Sequence, residues 1–177
     1  MARETAADNA AARRLLEITP TDHVLELGFG HGHNVLELAR AASRGFVAGL
    51  DHSEEMHALA EALCRTLIAS GRVRLSCADS RELPYEDTTF DKAVGVHTVY
   101  FWPDPIQQLT ELRRVLRPGG RLVLGFRPKE DGASKDFPET VYRFYSQRDV
   151  EQMLQAAGFA QVRIEALSPH VLMARAE

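Results

Sequence analysis

Cysteine is scarce in this chain, long apolar runs are missing, and there is no surplus of positive charge. The two cysteines, Cys64 and Cys77, have no metal-ligand spacing. Both sit among apolar neighbours, which predicts buried, inert thiols. The seven histidines include no H-E-x-x-H pair or other clustered ligand pattern, which argues against a structural metal. No secretory segment opens the chain and no apolar stretch is long enough to cross a bilayer, so a cytoplasmic location is expected. A net charge of -4 argues against broad nucleic-acid binding, which usually shows a basic surplus. The arginines that do cluster, Arg113, Arg114, Arg117, Arg121 and Arg127, read as a solvated helix face and strand end rather than a phosphate-binding patch. Without repeats or a linker, the 177 residues predict a single domain, 1–177, with a full core around a sheet.

What is present begins with Val24-Leu25-Glu26-Leu27-Gly28-Phe29-Gly30-His31-Gly32. An apolar strand runs into an acid, then into glycines at alternate positions, then into a helical stretch. Glycines at such a turn let the backbone bend sharply or approach a ligand with no Cβ in the way. The free N–H groups of the helix that follows favour a carboxylate or phosphate. A nucleotide-like ligand is therefore expected. The dinucleotide fingerprint G-x-G-x-x-G places its third glycine where this chain has His33. A P-loop is excluded because no Gly-Lys-Ser/Thr follows.

Helical and strand periodicities alternate along the chain, which predicts a parallel α/β sheet. An alanine-rich helix is expected over Ala6–Ile18, and further helices over Asn34–Ala42, Glu54–Ser70 and Pro105–Leu116. Strands are expected at His23–Leu27, Phe46–Leu50, Val73–Ser76, Phe90–Val96 and Arg121–Phe126. Ser146 to Asp149 resembles a capping box ahead of a last helix ending at Gly158. Two strands follow, Phe159–Leu167 and His170–Ala176, joined only by Ser168-Pro169. So short a joint cannot make a parallel crossover, so the pair must be an antiparallel hairpin. The expected fold is a Rossmann-like, mostly parallel seven-stranded sheet with helices on both faces, its edge carrying one reversed strand.

Ligands of open parallel sheets sit beyond the carboxyl ends of the strands, and polar residues collect there. Strand two ends at Asp51-His52-Ser53, where an acid can accept hydrogen bonds from two ribose hydroxyls. Strand three ends at Asp79-Ser80, where a carboxylate can accept from an adenine amine beside a donating backbone N–H. Strand four leads into His97.

Glu26, Gly28, Gly30 and Gly32 resemble the first motif of class I S-adenosylmethionine-dependent methyltransferases, E/D-x-G-x-G-x-G. With G-L-D-H-S-E-E-M, C-A-D-S-R-E-L-P-Y-E-D-T-T-F-D and L-R-R-V-L-R-P-G-G-R-L, residues 20 to 160 look like the type-11 methyltransferase family. That resemblance implies an enzyme that uses S-adenosyl-L-methionine. It implies cofactor contacts from Glu26, Gly28, Phe29, Gly30, Gly32, Asp51, His52, Met56, Asp79, Ser80 and His97. Gly28 and Gly30 would hold the methionine part, and Glu26 would support the amino group through a hydrogen-bond network. Asp51 would take the ribose, and Asp79 and Ser80 the adenine. Met56 either packs on adenine or belongs to the helix core with Leu59, Ala60 and Leu63.

The family often has a histidine near Phe101, where this chain reads Val99-Tyr100-Phe101-Trp102-Pro103. This stretch is either a wall of the methyl-acceptor site or packing at a helix start. Tyr100, Trp102 and Tyr142 are the acceptor-contact candidates. Residues 1–20 would form a short helix or lid, and 127–145 an active-site flap or a surface connection. The expected partner is a small-molecule methyl acceptor, with the protein a monomer or homodimer and no nucleic acid or membrane involved. The other function class is a non-catalytic S-adenosylmethionine-binding module that regulates a partner. His97, Tyr100 and Tyr142 are general-base candidates, none with a partner visible in the sequence.

Overall fold

The strands form where β-branched and leucine-rich runs can be buried on both faces. In the computed structural model, which describes residues 2–131, 137–138, 141–168 and 170–177, the element order is largely an alternation. Helix α1 (Ala2–Leu16) precedes β1 (His23–Leu27), α2 (His33–Ala41) and β2 (Phe46–Asp51). Then come α3 (Glu54–Ala69), β3 (Val73–Cys77), β4 (Phe90–Val96), α4 (Pro105–Val115) and β5 (Leu116–Phe126). The chain closes with α5 (Gln147–Ala156), β6 (Val162–Ser168) and β7 (Val171–Ala176). No described helix is long and apolar enough to cross a membrane.

The seven strands make one sheet in the order β3-β2-β1-β4-β5-β7-β6. The first five pair in parallel, and β7 runs antiparallel to both β5 and β6. The reversed strand therefore does not lie at the edge, as the hairpin alone suggested. It sits one place in, and β6 takes the edge. Burial explains the order: Val171, Met173, Ala174 and Ala176 of β7 are buried, whereas β6 carries exposed Arg163 and Glu165 or a half-buried neighbour at each step. Charged side chains on the outermost strand also discourage edge-to-edge association. β6 starts later than expected because the Phe159 N–H is still bonded to Leu154 O in the turn that closes α5.

Alternate residues of each strand feed two cores, as a sheet covered on both faces requires. Leu25, Leu27 and Leu50 pack with Leu109 and Leu112 of α4 and Leu154 of α5. Val24, Val47 and Val94 pack on the opposite face with Leu16 of α1, Leu38 of α2 and Ala60 of α3. Removing a fully buried leucine such as Leu25, Leu38 or Leu112 to alanine would cost about 2–5 kcal/mol.

Three helices start on hydrogen-bonding caps. Ser53 Oγ accepts from the Met56 N–H, Asp104 from Gln107 N–H, and Ser146 and Asp149 form the expected reciprocal capping box. Three arginines of the basic cluster are paired: Arg114 meets Glu111 and Asp87, Arg117 meets Asp91, and Arg121 meets Glu17 and Glu177. Cys64 is buried as expected, but Cys77 is exposed. It ends β3, a strand with a neighbour on one side only, where the sheet opens to solvent.

Candidate active site

The carboxyl ends of β1, β2, β3 and β4 surround a cavity of about 580 Å³. Of the glycine turn, Gly28 lines it, whereas Phe29, Gly30 and Gly32 do not. Gly28, Gly30 and Gly32 all have positive φ, at 71°, 53° and 81°, so the sequence spacing is a backbone requirement. Their roles differ. A methyl group on Gly28 would collide with Cγ2 of Thr98, so Gly28 lets β1 and the end of β4 approach. Gly30 has open space where a Cβ would point. Gly32 begins α2, and a Cβ there would lie 2.8 Å from that of Ala60, so it serves the packing of α2 on α3. The Phe29 side chain turns away into the core beside His57.

Asp51 is buried at the tip of β2 and lines the cavity. Its Oδ2 accepts from Gly30 N–H at 2.8 Å and its Oδ1 from Ser53 N–H at 3.0 Å. Each carboxylate oxygen keeps further acceptor capacity. His52 is exposed at the rim, its Nδ1 3.6 Å from Asp51 Oδ1. Asp79 and Ser80 line the far side. The Arg81 guanidinium and backbone N–H bind the Asp79 carboxylate and hold its pKa below the ordinary value. Ser80 Oγ accepts from Gln108 Nε2 at 2.6 Å.

Glu26 lies behind the glycine turn in a buried network. Asn34 Nδ2 donates to Glu26 Oε1 at 2.9 Å, and Arg13 of α1 donates to Asn34 Oδ1. Burial pushes the Glu26 carboxyl up to about 8, against the opposing pull of Asn34 and Arg13. Glu26 Oε2, Thr98 Oγ1 and Gln108 Oε1 are buried without a partner. Unpaired buried polar atoms cost free energy unless a ligand satisfies them, and Thr98 and Gln108 line the cavity itself.

Met56 stands on the first turn of α3, half-buried, and outside the cavity lining. Of the helix face expected to continue it, Ala60 is core but Leu59 and Leu63 are 46% and 40% exposed, and the buried stripe runs through Ala60 and Cys64. The two stripes differ by one residue, and Gly32 selects the second by seating its turn against Ala60.

His97 follows β4 with φ 58°, a left-handed conformation uncommon outside glycine. It lines the first cavity and also a second one of about 230 Å³. Tyr100, Tyr142, Phe137 and Phe144 wall the second cavity, and Phe101, like His97, faces both. The three acceptor-contact candidates are thus divided. Tyr100 and Tyr142 line the second cavity, while Trp102 lines the first beside Pro103. Tyr100 and Phe144 lie with ring centroids 4.9 Å apart, and so do Phe101 and Tyr142.

The described part of 127–145 packs against the site. Lys129 N–H donates to Tyr145 O, and Arg143 N–H donates to Tyr100 O at 3.1 Å. Residues 132–136 and 139–140 of the expected flap lie outside the described residues.

Sequence reading missed Asp8. Its Oδ2 lies 2.8 Å from His97 Nε2, and the side chain is buried. A signal was present: Asp8 stands on the same helical stripe as Ala11, Ala12 and Leu16, where an acid is out of place among buried apolar residues. Cys77, Val96, Thr98 and Gln108 also line the first cavity and carried no such signal.

A parallel sheet with a glycine turn after β1 and acids at the ends of β1, β2 and β3 defines a nucleoside-cofactor enzyme of the class I methyltransferase type. The chain belongs to the methyltransferase domain family, whose model matches residues 25–124, and its cofactor is S-adenosylmethionine. It is 30% identical to the uncharacterized methyltransferase YdaC of Bacillus subtilis over 165 residues, 93% of this chain and 86% of that protein. It is 37% identical to an uncharacterized 37.1 kDa protein of transposon TN4556 from Streptomyces fradiae over 142 residues. That match takes in 79% of this chain and spans only 40% of the transposon protein. Among solved structures, a SAM-dependent methyltransferase from Aquifex aeolicus shares the fold with a TM-score of 0.80 at 23% identity. The alignment covers 96% of this chain and 88% of that one.

Proposed function

We propose that this chain transfers the methyl group of S-adenosylmethionine to a small-molecule acceptor held in the aromatic cavity. One observation carries the reading: the two cavities adjoin, and His97 and Phe101 belong to the walls of both. A cofactor lying along the first cavity would then meet an acceptor from the second at that shared wall. At about 230 Å³ the second cavity is below the roughly 300–1,000 Å³ of drug-sized sites, which suits a molecule of one or two rings.

In this reading Asp51 holds the ribose hydroxyls, and Asp79 with the backbone at Ser80 holds the adenine. The open side of Gly30 and the Glu26–Asn34 network hold the methionine end. His52 closes the rim, and Trp102 and Gln108 cover the nucleoside. Bound there, the cofactor supplies an activated methyl on a sulfonium. The chain's own contribution is alignment and exclusion of water, since proximity and orientation lower the barrier for a transfer of this kind. Aromatic faces at Phe101 and Tyr100 also favour a cation nearby.

The test changes the second cavity while leaving the first intact. Phe144→Trp narrows it and Tyr142→Ala widens it. The purified chain is given methyl-labelled S-adenosylmethionine and aromatic acceptors of one and two rings. Phe144→Trp should favour the smaller acceptors and Tyr142→Ala the larger, with cofactor affinity by calorimetry within about twofold of the parent. Unchanged selectivity in both variants would place the acceptor elsewhere. Tight cofactor binding with no labelled product from any acceptor would favour the regulatory module.

A further inference from the structure

We propose that His97 is the general base of the transfer, that Asp8 positions it, and that the acceptor atom is a hydroxyl oxygen of phenol type. The inference rests on the second cavity as the acceptor site. Its observation is independent of that reading: a hydrogen-bonded Asp8–His97–Tyr100 chain crosses the wall between the two cavities.

His97 is held in place from several sides. Its left-handed backbone is anchored by its N–H donating to Gly125 O at 2.8 Å. A non-glycine residue held at positive φ next to a cavity is strain of the kind found at functional sites. On the side chain, Nε2 meets Asp8 Oδ2 at 2.8 Å and Nδ1 meets Tyr100 Oη at 3.2 Å. A carboxylate only accepts, so Nε2 carries the proton and Nδ1 presents a lone pair. Tyr100 Oη also accepts the backbone N–H of Arg127. The longer contact, to Tyr100, is the one an acceptor hydroxyl would replace. Among the described residues, the charged and titratable groups facing this ring or sharing its second cavity are Asp8 of α1, Tyr100 after β4, Arg127 after β5, and Tyr142, and the first cavity adds Asp51, His52, Cys77 and Asp79.

The flat walls of Tyr100, Phe101, Tyr142 and Phe144 suit a ring. A phenol ionises near ~10 and stays protonated at neutral pH, whereas imidazole is largely neutral above about pH 7. The acceptor O–H bond breaks and its proton passes to His97 Nδ1, giving an imidazolium that faces Asp8. The freed oxygen lone pair forms the O–CH₃ bond as the C–S bond breaks, and that electron pair stays on sulfur as an uncharged thioether. An orienting acid behind an imidazole serves the same end in hydrolytic triads, fixing the tautomer and stabilising the charge that develops.

The test uses the full chain saturated with methyl-labelled S-adenosylmethionine, with phenol and 4-nitrophenol as acceptors. The nitro group leaves the second largely ionised at about pH 8, so it needs less help from a base. Both should be methylated. His97→Gln and Asp8→Asn should each lose at least about tenfold more rate on phenol than on 4-nitrophenol. Asp8→Glu should restore the rate on phenol in part. Equal losses on the two phenols would overturn the base assignment. Labelled product from amines or thiols but from neither phenol would overturn the acceptor class. Either result leaves the second cavity as the acceptor site if Phe144→Trp and Tyr142→Ala still change selectivity.

Discussion

Asp51 Oδ2 accepts a hydrogen bond from the Gly30 N–H at 2.8 Å, so the acid ending β2 braces the glycine turn that follows β1. The two features that suggested a nucleotide site separately are therefore one structure. Asp51→Ala should lower S-adenosylmethionine affinity about 10- to 100-fold, the scale of one or two hydrogen bonds to a charged group. Asp51→Asn keeps an acceptor for Gly30 or Ser53 and should lose less. Isothermal calorimetry gives the affinity, and a melting curve shows whether folding has suffered. Equal affinity in Asp51→Ala would remove the acid from the ribose assignment.

The glycines separate folding from binding. Gly28→Ala adds a collision with Thr98 to a positive φ, at about 1–2 kcal/mol for the conformation and 1–3 for the overpacking. Combining it with Thr98→Ser, which removes Cγ2, should recover part of the melting temperature. Gly30→Ala meets no neighbour within 4 Å, so its stability loss should be confined to the φ term. Its cofactor affinity should nevertheless fall by more than that of Gly28→Ala with Thr98→Ser. A Gly30→Ala variant that binds as tightly as the parent would show that the open space is not cofactor space.

Much of this was legible in the chain because it is written in local rules. Alternating periodicities point to the strands, and in the sequence so little chain between the last two apolar runs leaves room only for a hairpin. Asp51 and Asp79 line the cavity from strand ends, the place where such sheets bind ligands. The rest depends on contacts between distant segments. The partnership of Asp8 with His97 spans 89 positions, and no local pattern ties a first helix to the end of the fourth strand. The insertion of β7 between β5 and β6 is likewise set by which strand has more apolar surface to bury. The choice of Cys64 over Leu59 and Leu63 to share the buried face of α3 with Ala60 follows from Gly32, on another element.

Trp102 is the sole tryptophan and is buried in the lining of the first cavity. Its fluorescence should therefore report cofactor binding without a label. Titration with S-adenosylhomocysteine should change the emission, saturating at the affinity found by calorimetry. Trp102→Phe should abolish the signal and keep binding. An emission spectrum unmoved at saturation would put the ligand away from Pro103 and Trp102.

Glu26 links both folding and cofactor binding to pH. Burial holds its carboxyl at about 8 in the folded chain, against 4.5 for an ordinary glutamate. The folded state thus keeps a proton that the unfolded chain gives up, and the linkage sign follows. The stability contributed by this group is fully present below about pH 4.5, declines as pH rises, and is lost above about 8. Glu26→Gln, which stays neutral and can keep the Asn34 contact, should flatten that part of the melting temperature's fall with pH. The ammonium of the cofactor's methionine end favours the ionised carboxylate, so binding at about pH 6.5 should release close to one proton from Glu26. Calorimetry in buffers of different ionisation enthalpy measures that release, which should fade above about pH 8 and vanish in Glu26→Gln. No release by the parent chain at about pH 6.5 would mean that Glu26 stays protonated with the cofactor bound and does not serve the amino group as a carboxylate.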